Sequence, residues 1–139
     1  NLGKLAAIFR IHKQCIYIHM NQLFNLFNPV PLVRALGNSL RGLAQAVKSE
    51  RAFQQELVLA IFGVIAAFLL TDVSTERALL IGSLAIVLIV ELVNSAIEAA
   101  VDRIGMEISP LSKRAKDMGS AAVLLSVVTV IIIWVIILV

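Results

Sequence analysis

Apolar positions follow two rhythms along this chain. Between residues 31 and 48, Leu32, Leu36, Leu40, Leu43 and Val47 recur at helical intervals, while Arg34, Arg41 and Lys48 are spaced by sevens on another face. This spacing predicts an amphipathic helix, and Pro31 suits its first turn, where the missing N–H donor does no harm. Leucines on one side and cations on the other fit a helix lying on an anionic membrane surface, or one packed on protein with a solvated face; both readings place it outside the bilayer. From Phe53 onward the alternation gives way to long apolar runs at about 53–70, 78–101 and 119–139, where a crossing helix needs about 20 residues. The run Leu57–Leu70 is short by itself, so the first span is expected to start near Phe53, bringing Gln54, Gln55 and Glu56 to the membrane boundary. The short TDVSTER loop follows it.

Composition turns these runs into a fold class. The 139 residues are 60% hydrophobic and 15% charged, with a mean hydropathy of +0.95, whereas soluble domains carry about 25% charged residues. The expected fold is an all-α membrane protein: an N-terminal amphipathic surface helix plus three transmembrane helices, forming one domain from 31 to 139 after an extension over 1–30. The net charge of +3 does not indicate nucleic acid, because no basic stretch is interleaved with aromatics. Eleven of the twelve basic residues precede the first span or lie between the second and third, leaving Arg77 alone in the opposite loop. The positive-inside rule therefore predicts a multi-pass membrane protein with its N-terminus cytoplasmic and its C-terminus outside. Trp134 lies about 27 Å along a helix from Lys116, at the far interface that tryptophan favours.

The extension adds little chemistry. Charge and histidine interrupt the apolar residues of 1–19 and no small-residue cleavage site follows, so the segment is read as an appendage rather than a signal peptide, with translation expected to start at Met20. Cys15, the one cysteine, excludes an intrachain disulfide, and His12 and His19 have no ligand-type partners nearby.

Candidate chemistry concentrates in the second span, IVLIVELVNSAIEAAVDRI, where Glu91, Asn94, Glu98 and Asp102 interrupt an apolar helix. A carboxylate at bilayer depth costs about 2.5–3.5 kcal/mol on insertion scales, so several of them imply a use. At 100° per residue, Asn94, Ser95, Glu98 and Asp102 all fall within roughly 60° of Glu91, on one face. Ala96, Ala99 and Ala100 are expected to let other helices approach, making protein or a watered cavity the neighbour of the stripe. Three uses remain open from the residues alone. The carboxylates could hold an oligomer together; they could conduct protons or cations, although no paired repeat or broken helix suggests alternating access; or they could bind metal. Glu91 and Glu98 lie about 10.5 Å apart along the axis, too far to share one ion, but either could bind with Glu50 or Glu56. The following segment, SPLSKRAKDMGSAA, brings Lys113, Arg114, Lys116 and Asp117 to the same cytoplasmic level. Carboxylates for Mg²⁺ and a lysine for phosphate are the ingredients of phosphoryl transfer. No Walker-type loop or protein-kinase motif accompanies them.

ELVNSAIEAAVDRIG from Glu91 to Gly105, RAKDMGSAAVL from Arg114 to Leu124, and the supporting RAFQQE from Arg51 to Glu56 resemble the signature blocks of the prokaryotic membrane-integral diacylglycerol kinase family. The resemblance runs from about Leu32 to the C-terminus. It implies a homotrimer with active sites between subunits, and an enzyme that uses ATP and Mg²⁺ to convert diacylglycerol to phosphatidic acid in the membrane. By the same resemblance, Glu91 would be the general base and Asn94 would orient groups around it. Glu50 and Glu98 would hold the metal and contact ATP, with Lys116 and Asp117 at the nucleotide and Glu107 near its base or sugar. Gln55, Glu56 and Ser120, together with Glu91, would shape the lipid-hydroxyl site. An undecaprenol kinase is the nearest alternative in the same fold; the RAKDMGSAA form looks more like the diacylglycerol branch.

Three departures fall in the expected ATP-binding region. Pro31 stands where the family's nucleotide-contacting arginine would fall, Asn38 replaces an aromatic residue, and Ile108-Ser109 replaces a more polar aromatic and histidine pair. Arg34 follows Pro31 by about one helical turn and is the candidate compensating charge. An Arg34→Ala variant is expected to show weakened apparent ATP affinity in a steady-state titration; unchanged affinity would remove that role.

Overall fold

The computed structural model describes residues 29–104 and 109–139. Expectations for the extension through residue 28, including Met20, Cys15 and the two histidines, and for Glu107 and Ile108, lie outside the described residues. The described chain forms four helices: α1 (Pro29–Ser49), α2 (Arg51–Leu70), α3 (Ser74–Ile104) and α4 (Pro110–Leu138), with no strand among the described residues. The last three are long and apolar enough to cross a membrane. The all-α class with one amphipathic and three spanning helices is therefore observed.

The chain parts into two units at Gly42, within α1. In the first, Leu32, Leu36 and Leu40 form an exposed apolar row, and Ser39 donates to the Ala35 carbonyl at 3.0 Å. In the second, α1 ends where Glu50 takes an extended conformation (φ −94°, ψ 107°) and becomes the N-cap of α2. The break is tied on both sides: the Glu50 amide donates to Ala46 and the Gln54 amide to Glu50, each at 3.0 Å. The Gln54 side chain also donates to the Val47 carbonyl at 2.9 Å. The first span starts at Arg51, slightly before the expected position, so its 20 residues reach about the full apolar thickness of a bilayer.

α3 packs against both α2 and α4. Its contact with α2 is close because Gly63 has no Cβ; one built there would lie 2.6 Å from Leu84 Cδ1. Phe53, Ala67 and Leu80 form the most buried apolar positions, with Leu80 fully inaccessible. Hydroxyls within the apolar helices satisfy themselves locally: Ser83 donates to the Leu80 carbonyl and Ser126 to the Val123 carbonyl, each at 2.7 Å.

The loop between α2 and α3 accounts for the isolated Arg77. Its Nη2 donates to the Thr71 carbonyl at 2.6 Å, lies 3.6 Å from Asp72, and the guanidinium sits 4.5 Å from the Phe68 ring centroid. Thr71 donates to Glu76 at 2.5 Å and accepts from the Val73 amide at 3.1 Å. At the other end of α3, the chain re-enters helix at Pro110, earlier than the apolar pattern alone places the third span. Ser109 caps α4 by accepting from the Leu111 amide at 3.3 Å, with proline in the first turn.

A Leu80→Ala variant should lose about 2–5 kcal/mol of stability through cavity formation, read as a lower unfolding midpoint in detergent micelles.

Candidate active site

The acidic face of α3 changes environment along its length. Glu91 and Asn94 are buried at 4% and 8% exposure, Ser95 and Glu98 are half-buried, and the Asp102 side chain is 65% exposed. The polar stripe thus runs outward toward the loop between α3 and α4, as its spacing implies. Ala96, Ala99 and Ala100 beside the stripe are exposed in this chain. They lie roughly 80–180° around the helix from Glu91 and miss the contact face. Close approach is made instead by α4 at Gly119, where a built Cβ would overlap Asn94 Oδ1.

A pocket of about 330 Å³ opens on this face, lined by Glu50, Ala52, Glu91, Asn94, Ser95, Glu98, Ser120 and Val123. Three elements converge there. The extended residue between α1 and α2 presents Glu50, α3 presents Glu91, Asn94 and Glu98, and α4 presents Ser120. Glu50 stands as the N-cap residue of α2, beside the unpaired amides that open the helix. Ser49 donates to Glu50 Oε1 at 3.3 Å. Asn94 donates through Nδ2 to Glu98 Oε1 at 3.2 Å, and Asn94 and Ser95 both approach the Glu91 carboxylate. Among the described residues, no group of three or more His, Cys, Asp and Glu side chains could hold a metal ion.

The other expected site residues occupy the margins. Glu56 lies near enough to Glu91 for their charges to interact, and its Oε2 is buried without a hydrogen-bond partner among the described residues. Gln55 is exposed in a separate groove with Gln54, Val58 and Leu59. Lys116 pairs with Asp102 at 2.5 Å, while Asp117 pairs with Lys113 at 2.7 Å on the exposed side of α4. Neither Lys116 nor Asp117 lines the pocket, although Glu98 adds to the negative field at Lys116. Asn38, in the other unit, accepts from Arg41 at 2.7 Å. Ser109 has the capping role already described.

Sequence reading missed Asp102 as the partner of Lys116 and gave no role to Gly119. Asp102 follows Glu98 by four residues, which put it on the stripe but not beside α4. A glycine inside a helix costs about 0.5–1 kcal/mol relative to alanine, and that cost was the available signal at Gly119.

The family described as prokaryotic diacylglycerol kinase matches residues 37–138, a segment containing every pocket-lining residue. The chain belongs to this family. It is 50% identical over 107 residues to diacylglycerol kinase of Escherichia coli strain K12, covering 77% of this chain and 88% of that protein. It is 47% identical over 103 residues to the Pseudomonas aeruginosa diacylglycerol kinase, covering 74% and 84%. The corresponding Haemophilus influenzae protein is 44% identical over 103 residues, covering 74% and 87%. Membership in the prokaryotic diacylglycerol kinase family makes the chain a lipid kinase, and its three apolar helices make it a multi-pass membrane protein.

Both members of the Lys116–Asp102 pair retain solvent exposure. Asp102→Asn should consequently change unfolding stability by less than about 1 kcal/mol, with the difference shrinking in high salt. A larger, salt-independent loss in a denaturation series would contradict a solvent-screened pair.

Proposed function

We propose that this protein transfers the γ-phosphoryl group of ATP directly to the free hydroxyl of diacylglycerol, forming phosphatidic acid and ADP at the cytoplasmic face of a bacterial inner membrane. The observation carrying this reading is the convergence of buried Glu91 with Glu50 and Glu98 on one membrane-helix pocket, in a chain related to proteins named diacylglycerol kinase.

Glu91 takes the proton of the lipid hydroxyl as its oxygen forms a bond to the γ-phosphorus and the bond to ADP breaks. A base held within an apolar helix packing is matched to a substrate whose acyl chains stay among the helices while its hydroxyl reaches the polar pocket. Asn94 orients the carboxylates on either side of it. Gln55, Glu56 and Ser120 shape the space around the lipid headgroup.

Glu50 and Glu98 suit Mg²⁺ arriving with ATP, because Mg²⁺ retains waters and uses one or two carboxylates plus phosphate oxygens rather than a full protein cage. When bound, the ion would neutralise phosphate charge. Lys116 exchanges Asp102 for a phosphate oxygen, and Asp117 and Ser109 contribute to nucleotide binding. The functional unit is a homotrimer, with the N-terminus cytoplasmic and the C-terminus outside.

Purified protein in mixed micelles, supplied with γ-labelled ATP, Mg²⁺ and diacylglycerol, should transfer label to phosphatidic acid. Glu91→Gln should reduce turnover by at least about a hundredfold while retaining nucleotide binding. Glu50→Gln and Glu98→Gln should weaken Mg-ATP binding as well. Near-normal turnover of Glu91→Gln would remove the base assignment, and phosphorylation of undecaprenol alone would overturn the substrate assignment.

A further inference from the structure

Asn94 presents an asymmetric contact pattern. Its amide nitrogen donates to Glu98 Oε1 at 3.2 Å, whereas its Oδ1 is buried with no hydrogen-bond partner among the described residues. That oxygen faces Gly119 of α4. A Cβ built on Gly119 would overlap Asn94 Oδ1 and lie 3.4 Å from Asn94 Cγ, but 4.0 Å from the Asn94 Cα. The α3 backbone therefore leaves ordinary contact distance for a methyl group; the side-chain amide does not. Gly119 carries only a hydrogen along the Cβ direction, which leaves Oδ1 the space that a methyl group would take.

We propose that Gly119 is a positioning residue for the active site: by lacking a side chain, it holds the Asn94 amide with its donor end on Glu98. Reversing the amide would aim its carbonyl at the carboxylate, so the observed orientation joins a donor to an acceptor. Adding a methyl at Gly119 forces the amide to swing, breaks the Nδ2–Oε1 bond and releases Glu98, while the two helix backbones remain together. Buried Gly119 thereby transmits α4 packing to a pocket-lining carboxylate on α3. The catalytic consequence rests on the proposed role of Glu98 in holding Mg-ATP; the amide geometry does not.

The test compares Gly119→Ala, Asn94→Ala and the double variant in the full chain. Gly119→Ala should lower kcat/KM for Mg-ATP by about ten- to a hundredfold, the scale expected for a small displacement of a positioned group. Its KM for diacylglycerol and its unfolding midpoint should stay close to the parent values. On the Asn94→Ala background the same substitution should change kcat/KM by less than about twofold, because the amide it displaces is gone. Equal losses on both backgrounds would overturn the proposal.

An activity-independent readout is the Asn94 side-chain NH₂ resonance in asparagine-labelled protein, assigned by its loss in Asn94→Ala. Gly119→Ala should shift this resonance; an unmoved signal would overturn the proposal. If Gly119→Ala fails to fold but the double variant folds, the clash with the amide is supported. Failure of both to fold would show that Gly119 protects helix spacing instead and would overturn the assignment. If Gly119→Ala shifts the resonance but the parent protein phosphorylates no lipid, the proposed function is defeated while the amide coupling stands.

Discussion

Burying Glu91 within a helix that is otherwise apolar is the demand around which this protein is organised, because a carboxylate removed from water requires nearby polar groups or a functional destination. Three features meet it. Asn94 and Ser95, one turn along the same helix, approach the carboxylate. The pocket opens beside it, and the stripe becomes progressively more exposed toward Asp102. The helix can therefore carry charge from a dry packing layer to a polar margin without placing every acidic group at the same depth.

The same demand sets the helix contacts. Membrane helices gain little from excluding lipid in favour of one another, so close approach relies on shape and on satisfied polar groups. Gly63 admits Leu84 where α2 meets α3, and Gly119 admits Asn94 where α3 meets α4. One contact is apolar and the other polar, and both use a missing Cβ. At the opposite end, the Arg77, Thr71, Asp72 and Phe68 contacts close the turn between spans. A lone cation there serves the loop as well as the charge asymmetry along the chain.

The extended conformation at Glu50 gives the site its third direction. A continuous helix from α1 into α2 would carry Glu50 around the helical surface; the break makes it the N-cap residue and places its carboxylate on the pocket. Family membership agrees with this convergence, since the matched segment contains the break, the stripe and the start of α4. On the proposed reading, a lipid hydroxyl meets the buried base from the apolar side and phosphate groups meet the more exposed carboxylates from the polar side.

The sequence by itself determined the amphipathic first helix, the three apolar spans and the shared face of Glu91, Asn94, Ser95, Glu98 and Asp102, because helical periodicity and apolar length are local properties. It also singled out Glu50 and Ser120 through family motifs. Local pattern did not determine which neighbours those residues meet. Within the chain the alanines beside the stripe are exposed, and the close contact to the stripe is made by a glycine on another helix. Likewise, Lys116 meets Asp102, and Asp117 turns to Lys113 instead of lining the pocket. These choices depend on helix spacing and rotation, which bring distant segments together and cannot be obtained from the period of either segment alone. Tertiary structure therefore decided how the acidic stripe became a pocket, and why an absent side chain at Gly119 governs one of its edges.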